Sequence, residues 1–323
     1  MANNTFKEIT EVLLNAETIL IYPHINADGD GVGSAAALCH TLRRLGKTAY
    51  VLVEDELPSN LRFMDKGYFT FDDKVIEHPD VSVCVDCGDF GRLPKRKEKF
   101  LSAETTLCVD HHATTQNFCD YNYVDPSAAA TGELIYAIIK ELVPEVDVET
   151  GEAIFTAITT DTGNFQYSNT TKNCHLIMAE LFDLGVDTNK VSVQIYENER
   201  PEKLMITTKA LSTIELFGGG KGAIAYLTLS DMAEIGAKPF ETDNVIGTLR
   251  SLAGVEYAAF VKEKEPGVIR VSLRAKRMGD VAKIAAALGG GGHIKAAGCT
   301  LNMTIEEATA MVKQKLSEAI EAL

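Results

Sequence analysis

The chain has 323 residues, 46% of them hydrophobic, and its 46 acidic side chains against 31 basic ones leave a formal charge of −15. That length and apolar content suit two domains with buried cores and exclude global disorder. The charge excludes a broad basic surface for long duplex nucleic acid but leaves room for a local phosphate or metal site.

The stretch MANNTFKEITEVLLNAE carries acidic residues and no apolar core behind a basic segment, so no secretory signal is expected. No apolar run reaches the ~20 residues that cross a bilayer. The seven cysteines, an odd number set mostly in apolar runs, read as reduced buried thiols and point to the cytoplasm, away from any membrane. Cys84 and Cys87 form a C-x-x-C, but VSVCVDCGD reads as a strand and no second Cys or His pair follows at zinc spacing.

Thr18 to Pro23, Thr48 to Val53, Val81 to Asp86 and Thr106 to Asp110 are short, β-branched and followed by loops, which predicts four buried strands. Between the first two, Ala35, Leu38, Leu42 and Leu45 fall at helical spacing within Gly31 to Leu45, and Gly46 is placed to end the helix. Strand and helix alternating in this way predict an α/β fold with a parallel sheet, covered on both faces, whose ligands bind beyond the carboxyl ends of the strands.

Helices are predicted at Ala129 to Leu142, Glu152 to Thr160 and Asn173 to Leu184, and a helical connector over Asp187 to Leu216. A smaller α/β domain follows. It opens on Gly218-Gly219-Gly220, with strands at Ala223 to Leu229, Tyr257 to Val261 and Val268 to Leu273, and helices near Asp243 to Leu252, Asp280 to Leu288 and Ile305 to Leu323.

The polar residues just after the strands carry the chemistry. After the first strand comes His24-Ile25-Asn26-Ala27-Asp28-Gly29-Asp30-Gly31-Val32-Gly33-Ser34. Its glycines miss the G-x-G-x-x-G spacing of dinucleotide binders, and two aspartates would repel a pyrophosphate at a helix start. One His and two Asp on a tight turn suit a hard cation, against the blander reading of Asp28 or Asp30 as helix caps. Asp86 closes the next strand, with Asp89 read as a turn residue. Asp110-His111-His112 closes the one after, and Asp161 ends a helical run beside Gly163. Adjacent imidazoles there need partners, which metal or phosphate supplies. Such a mixed Asp/His supply without Cys fits two divalent ions, manganese before structural zinc.

In this order, His24-x-x-x-Asp28-x-Asp30, Asp86, Asp110-His111-His112 and Asp161 resemble the DHH phosphoesterase family. Gly289-Gly290-Gly291-Gly292-His293 followed by Ala296-Ala297-Gly298 looks like the signature of its DHH-associated C-terminal domain. The resemblance covers nearly the whole chain; Ala27 departs from it, standing where many relatives carry Pro.

The resemblance implies a DHH domain over 1–186, a linker over 187–216, a substrate-binding domain over 217–323, and an active site in the cleft between the domains. It implies two divalent ions, with His24 and Asp28 on one, Asp30, His111 and Asp161 on the other, and Asp86 bridging. His112 would face the substrate phosphate as charge stabiliser or acid, with Asp110 orienting the histidines. Gly289, Gly290, Gly291, Gly292 and His293 form a loop whose N–H groups suit an anion, and Arg274 at a strand end suits phosphate or base.

RecJ-type exonucleases are longer, with an oligonucleotide-binding fold for which there is no room beyond Leu323, and family II pyrophosphatases lack the Gly-rich His motif. The expected substrates are therefore short single-stranded RNA, cut to mononucleotides, or 3′-phosphoadenosine 5′-phosphate. Linear or cyclic dinucleotides are the alternative. A non-catalytic nucleotide-binding regulator is the opposed reading, and the intact ligand set weighs against it. Homodimerisation is left open.

Overall fold

A computed structural model of the chain describes residues 3–242 and 244–322. The chain divides into two compact units, residues 1–198 and 199–323. The first contains α1 (Phe6–Asn15), β1 (Thr18–Pro23), α2 (Gly29–Arg44), β2 (Thr48–Leu52), β3 (Phe69–Thr70), β4 (Val81–Val85), α3 (Lys97–Phe100), β5 (Thr105–Asp110), β6 (Tyr121–Val124), α4 (Thr131–Leu142), α5 (Val148–Asp161), α6 (Lys172–Asp183) and α7 (Thr188–Tyr196).

Its six strands form one sheet in the order β3-β2-β1-β4-β5-β6, every pair parallel. Alternation along β1 explains the two layers. Ile19 and Ile21 face a large core with α1, α2, α4 and α5, whereas Leu20 and Tyr22 face a smaller one with Cys84, Cys108, Leu93 and Phe100. After β3 the chain crosses to the far side of β1, so the carboxyl ends of β1 and β4 splay apart at a topological switch point. His24 follows β1 directly and Asp86 follows β4.

Helices α2 and α5 lie unusually close, and the reason is a missing side chain. A Cβ on Gly33 would stand 2.5 Å from Ala153 O and 2.8 Å from Ala157 N. That approach brings the first turn of α2, with Asp30, to the last residue of α5, Asp161. Gly33→Ala is expected to destabilise the unit by about 1–3 kcal/mol through overpacking, near 2–4 °C of melting temperature per kcal/mol, and to weaken divalent-metal affinity with it. Unchanged melting would mean the helix pair relaxes freely.

The second unit contains α8 (Pro201–Leu211), β7 (Glu215–Phe217), β8 (Gly222–Leu227), α9 (Leu229–Ile235), α10 (Val245–Ser251), β9 (Tyr257–Glu265), β10 (Val268–Ala275), α11 (Val281–Ala287), β11 (Gly291–His293), β12 (Ala296–Asn302) and α12 (Ile305–Glu321). Its sheet runs β11-β12-β10-β9-β8-β7, antiparallel except for the β8–β9 pair. One face packs on α11 and α12, the other on α8, α9 and α10.

The helical segment over 187–216 is shared between the units. Val191 and Ile195 of α7 join the first core, while Ile206 and Ala210 of α8 join the second. The expected helix start at Asp243 and end at Leu323 lie outside the described residues. Among the described residues no helix is long and apolar enough to cross a membrane.

Candidate metal centre and phosphate-binding face

The residues singled out in the first unit converge at the switch point. Asp28 caps α2, its Oδ1 accepting from Asp30 N at 3.1 Å and Gly31 N at 3.3 Å. Capping and convergence therefore coexist at this residue. His24 Nε2 lies 3.8 Å from Asp28 Oδ1 and 3.5 Å from Asp86 Oδ2. His111 Nε2 lies 3.7 Å from Asp30 Oδ2, 3.8 Å from Asp86 Oδ1 and 3.7 Å from Asp161 Oδ2. The two oxygens of Asp86 thus face different groups, His24–Asp28 on one side and Asp30–His111–Asp161 on the other.

The donor chemistry fits a pair of cations. Each imidazole has its Nδ1 against a carbonyl, Ile25 O at 2.7 Å for His24 and Ala128 O at 3.2 Å for His111. A neutral ring then carries its proton on Nδ1 and turns an unprotonated Nε2 toward the carboxylates. Those oxygens stand beyond hydrogen-bond reach of that nitrogen, at a spacing that an ion about 2.0–2.2 Å from each ligand would fill.

The charges point the same way. Asp30 and Asp86 are 1% and 2% exposed, and among the described residues no Lys or Arg pairs with Asp28, Asp30, Asp86 or Asp161. Burial, followed by the charges of Asp86, Asp161 and Asp28, pushes Asp30 well above the usual carboxylate range. Burial also raises Asp161 to about 6, the charges of Asp86 and Asp28 adding to it against His111. Burial opposes a charge on His24, yet the neighbouring Asp28 and Asp86 carboxylates, with Ile25 O, outweigh it and lift the ring to about 10. The carboxylates call for positive charge at this point, and a metal supplies more of it than a proton.

Asp86 has φ 56°, a left-handed conformation uncommon outside glycine, held by the hydrogen bond from its N–H to Val109 O at 3.1 Å. Asp110 is fully buried and accepts from His111 N at 2.8 Å, His112 N at 3.3 Å, the His112 ring Nδ1 at 2.8 Å and the Thr115 hydroxyl. The Asp110 hydrogen bond, with the Asp86, Asp110 and Asp161 charges, outweighs burial and raises His112 to about 8. Asp89 is exposed and only caps the short turn after it, through Gly91 N. Cys84 and Cys87 are buried, their thiols donating to Cys87 O and Asp89 O.

In the second unit, Gly291–His293 is a short edge strand where a loop was expected, paired to β12 through Gly291–Gly298, Gly292–Ala297 and His293–Ala296. Gly289 and Gly290 form the turn that leads into it. Arg274 pairs with Ala296 on the other side of β12, so Arg274, Ala296 and His293 form one row across the sheet. The register thereby sets Arg274 and His293 on the same face.

Residues 18–166 match the N-terminal domain of the DHH family, and residues 219–321 match the DHHA1 domain. The bifunctional oligoribonuclease and PAP phosphatase NrnA of Thermus thermophilus is 32% identical over 316 residues, 97% of this chain and 93% of that one. The chain belongs to the DHH family. Among solved structures, an exopolyphosphatase-related protein from Bacteroides fragilis superposes with a TM-score of 0.90 at 25% identity, covering 98% of this chain and 96% of that one. RecJ from Thermus thermophilus, solved in complex with Mn2+, aligns over 100% of this chain and 55% of its own with a TM-score of 0.56 at 14% identity, a likeness of fold alone.

Several residues that shape this DHH centre escaped the sequence reading. Thr131 Oγ1 donates to Asp86 Oδ1 at 3.0 Å, and the N–H groups of Thr131 and Gly132 donate to the two oxygens of Asp30 at 2.7 and 2.9 Å. They begin α4, so Asp30 sits at a helix N-terminus that favours its negative charge. Ser34 Oγ adds a bond to Asp30 at 3.1 Å, and Asn169 Nδ2 holds Asp161 Oδ2 at 3.1 Å. The signal for Thr131 lay in Ala130-Thr131-Gly132 opening an apolar helix; placing the helix start at Ala129 hid it. Asn169 lies in a loop without periodicity and gave none.

Proposed function

We propose that the chain is a divalent-metal phosphoesterase that hydrolyses short RNA oligonucleotides to mononucleotides and 3′-phosphoadenosine 5′-phosphate to AMP. The observation that carries this reading is the pair of His/Asp groups joined by the two oxygens of Asp86. The activity named for the Thermus relative supports the substrate class.

His24 and Asp28 would hold one ion, and Asp30, His111 and Asp161 the other, with one Asp86 oxygen on each. When bound, two divalent cations polarise the phosphate and provide a water of lowered pKa. Manganese suits a mixed Asp/His set without Cys. Thr131 orients Asp86, while the α4 amides fix Asp30. Asp110 commits the Nδ1–H of His112, so the Nε2 proton is the one presented to the phosphate oxygens and the leaving group. In the second unit Arg274 and His293, with Gly289, Gly290, Gly291 and Gly292, would bind nucleotide phosphate. A cytoplasmic location accords with six buried thiols that are all unpaired.

Release of mononucleotide from di- to tetraribonucleotides, and of phosphate from 3′-phosphoadenosine 5′-phosphate, is expected to need Mn2+ and to stop on chelation. Undiminished turnover after exhaustive chelation removes the metal reading. In a panel ranked by kcat/KM, linear oligoribonucleotides and the bisphosphate are expected above cyclic dinucleotides. The reverse ranking reassigns the substrate.

A further inference from the structure

One face of the second sheet is only half covered. Val245, Ile246 and Leu249 of α10 pack there over Ala258 and Phe260 of β9 and Ala223 and Ala225 of β8. Strand register continues the same face onto Arg270, Ser272 and Arg274 of β10, Gly298 and Thr300 of β12, and His293 of β11. These residues are exposed or half-buried. The uncovered half of the face therefore carries Arg270 as well as Arg274 and His293.

The side chains give this surface a definite character. The Arg270 guanidinium leans over Gly298, toward Arg274: a Cβ there would stand 3.4 Å from Arg270 Nη2 and 2.7 Å from Val271 O. Gly298 thus keeps the floor between the arginines low. Arg250 is exposed in the last turn of α10, the helix that also packs against β10. Burial, followed by the charge of Arg250, lowers the Arg274 guanidinium from its ordinary value. Arg274 Nη1 donates to its own Leu273 O at 3.1 Å. Among the described residues no carboxylate forms an ion pair with Arg250, Arg270 or Arg274, in a chain of charge −15. Lys262, also on this face, is committed to Pro239 O and Thr242 Oγ1.

Guanidiniums gathered without counter-charge in an acidic protein mark a place where an anion is supplied from outside. Resting on the phosphoesterase reading above, we propose that Arg270 and Arg250 bind substrate phosphate together with Arg274, making the open half of this face a seat for a nucleotide chain with more than one phosphate. A single terminal phosphate needs one fork; guanidiniums spread along β10 and the end of α10 engage a ligand that extends over the low floor at Ala296 and Gly298.

The test is calorimetric binding of tetra-adenylate to the full chain in chelator, where the metal-dependent reaction is off. Arg270→Gln and Arg250→Gln are each expected to weaken binding about 10-fold or more. Each should also flatten the dependence of log K on log salt, by up to about 0.7 for the contact removed. A merely structural arginine does not change that slope. Arg270→Lys and Arg250→Lys should restore the slope and only part of the affinity, which keeps the test valid if a Gln variant folds poorly. Wild-type affinity and slope in both Gln variants, with loss confined to Arg274→Gln, overturns the inference, as does a wild-type chain that does not bind the tetramer. Arginine-dependent binding in a chain that shows no metal-dependent hydrolysis removes the phosphoesterase reading and leaves this one standing.

Discussion

Asp86→Ala is expected to lose most divalent-metal binding and to lower turnover on the order of 10³-fold, since the several kcal/mol that metal ions contribute to phosphate chemistry depend on this one carboxylate. Its two oxygens face two different His/Asp groups, so removing it takes a ligand from both. Asp86→Asn is the cleaner variant: Asn tolerates the left-handed backbone at φ 56° and can still accept from Thr131, and only the charge is lost. Without metal, Asp86→Asn should melt higher than wild type, because the charge that helps push Asp30 upward is gone. Added Mn2+ should raise the wild-type melting temperature by mass action and leave the variant nearly unchanged. Asp89→Ala, which removes only a turn cap at the exposed surface, should retain metal and activity. Equal metal content in the Asp86 and Asp89 variants, measured by elemental analysis, would show that Asp86 does not bridge.

The candidate metal-binding set was legible because most of its chemistry conflicts with burial. His and Asp gathered after four apolar segments exceed what capping alone would place there, and the order of strands then brings His24 and Asp86 to one switch point. Among the strands that escaped, two give only a muted signal. β12 reads Ala-Ala-Gly-Cys-Thr-Leu-Asn, with a glycine in mid-strand, and β3 is two residues long. The glycine run before His293 suggested a loop because glycine says little about extended pairing; β12 supplies the edge on which Gly291–His293 becomes a strand. Likewise the Arg270–Arg274–His293 face is a property of register, and register across three strands depends on long-range pairing that local periodicity does not encode. The tight α2–α5 approach at Gly33 was equally silent, since an isolated glycine in a helix reads as a weak position until its neighbour is known.

His112→Ala is expected to bind Mn2+ like wild type and to lose about 10²–10⁴-fold in turnover on ribonucleotide substrates. The expectation follows from which ring nitrogen is committed. Nδ1 is 2.8 Å from Asp110 Oδ1, and that carboxylate is itself pinned by two backbone amides and Thr115, so the ring cannot readily turn to offer Nδ1 elsewhere. Its other nitrogen is left for the substrate, and the half-exposed ring gives it access. Whether that nitrogen delivers a proton or only stabilises charge is decided by the leaving group. A ribose alkoxide is a poor leaving group and gains from protonation, whereas p-nitrophenolate leaves without it. Proton delivery predicts a loss on a dinucleotide at least ten times the loss on a p-nitrophenyl phosphodiester, compared as kcat/KM. Equal losses on both would assign His112 to the phosphate oxygens alone, and loss of bound Mn2+ would make it a metal ligand, with Asp110 then orienting that ligand in place of an acid.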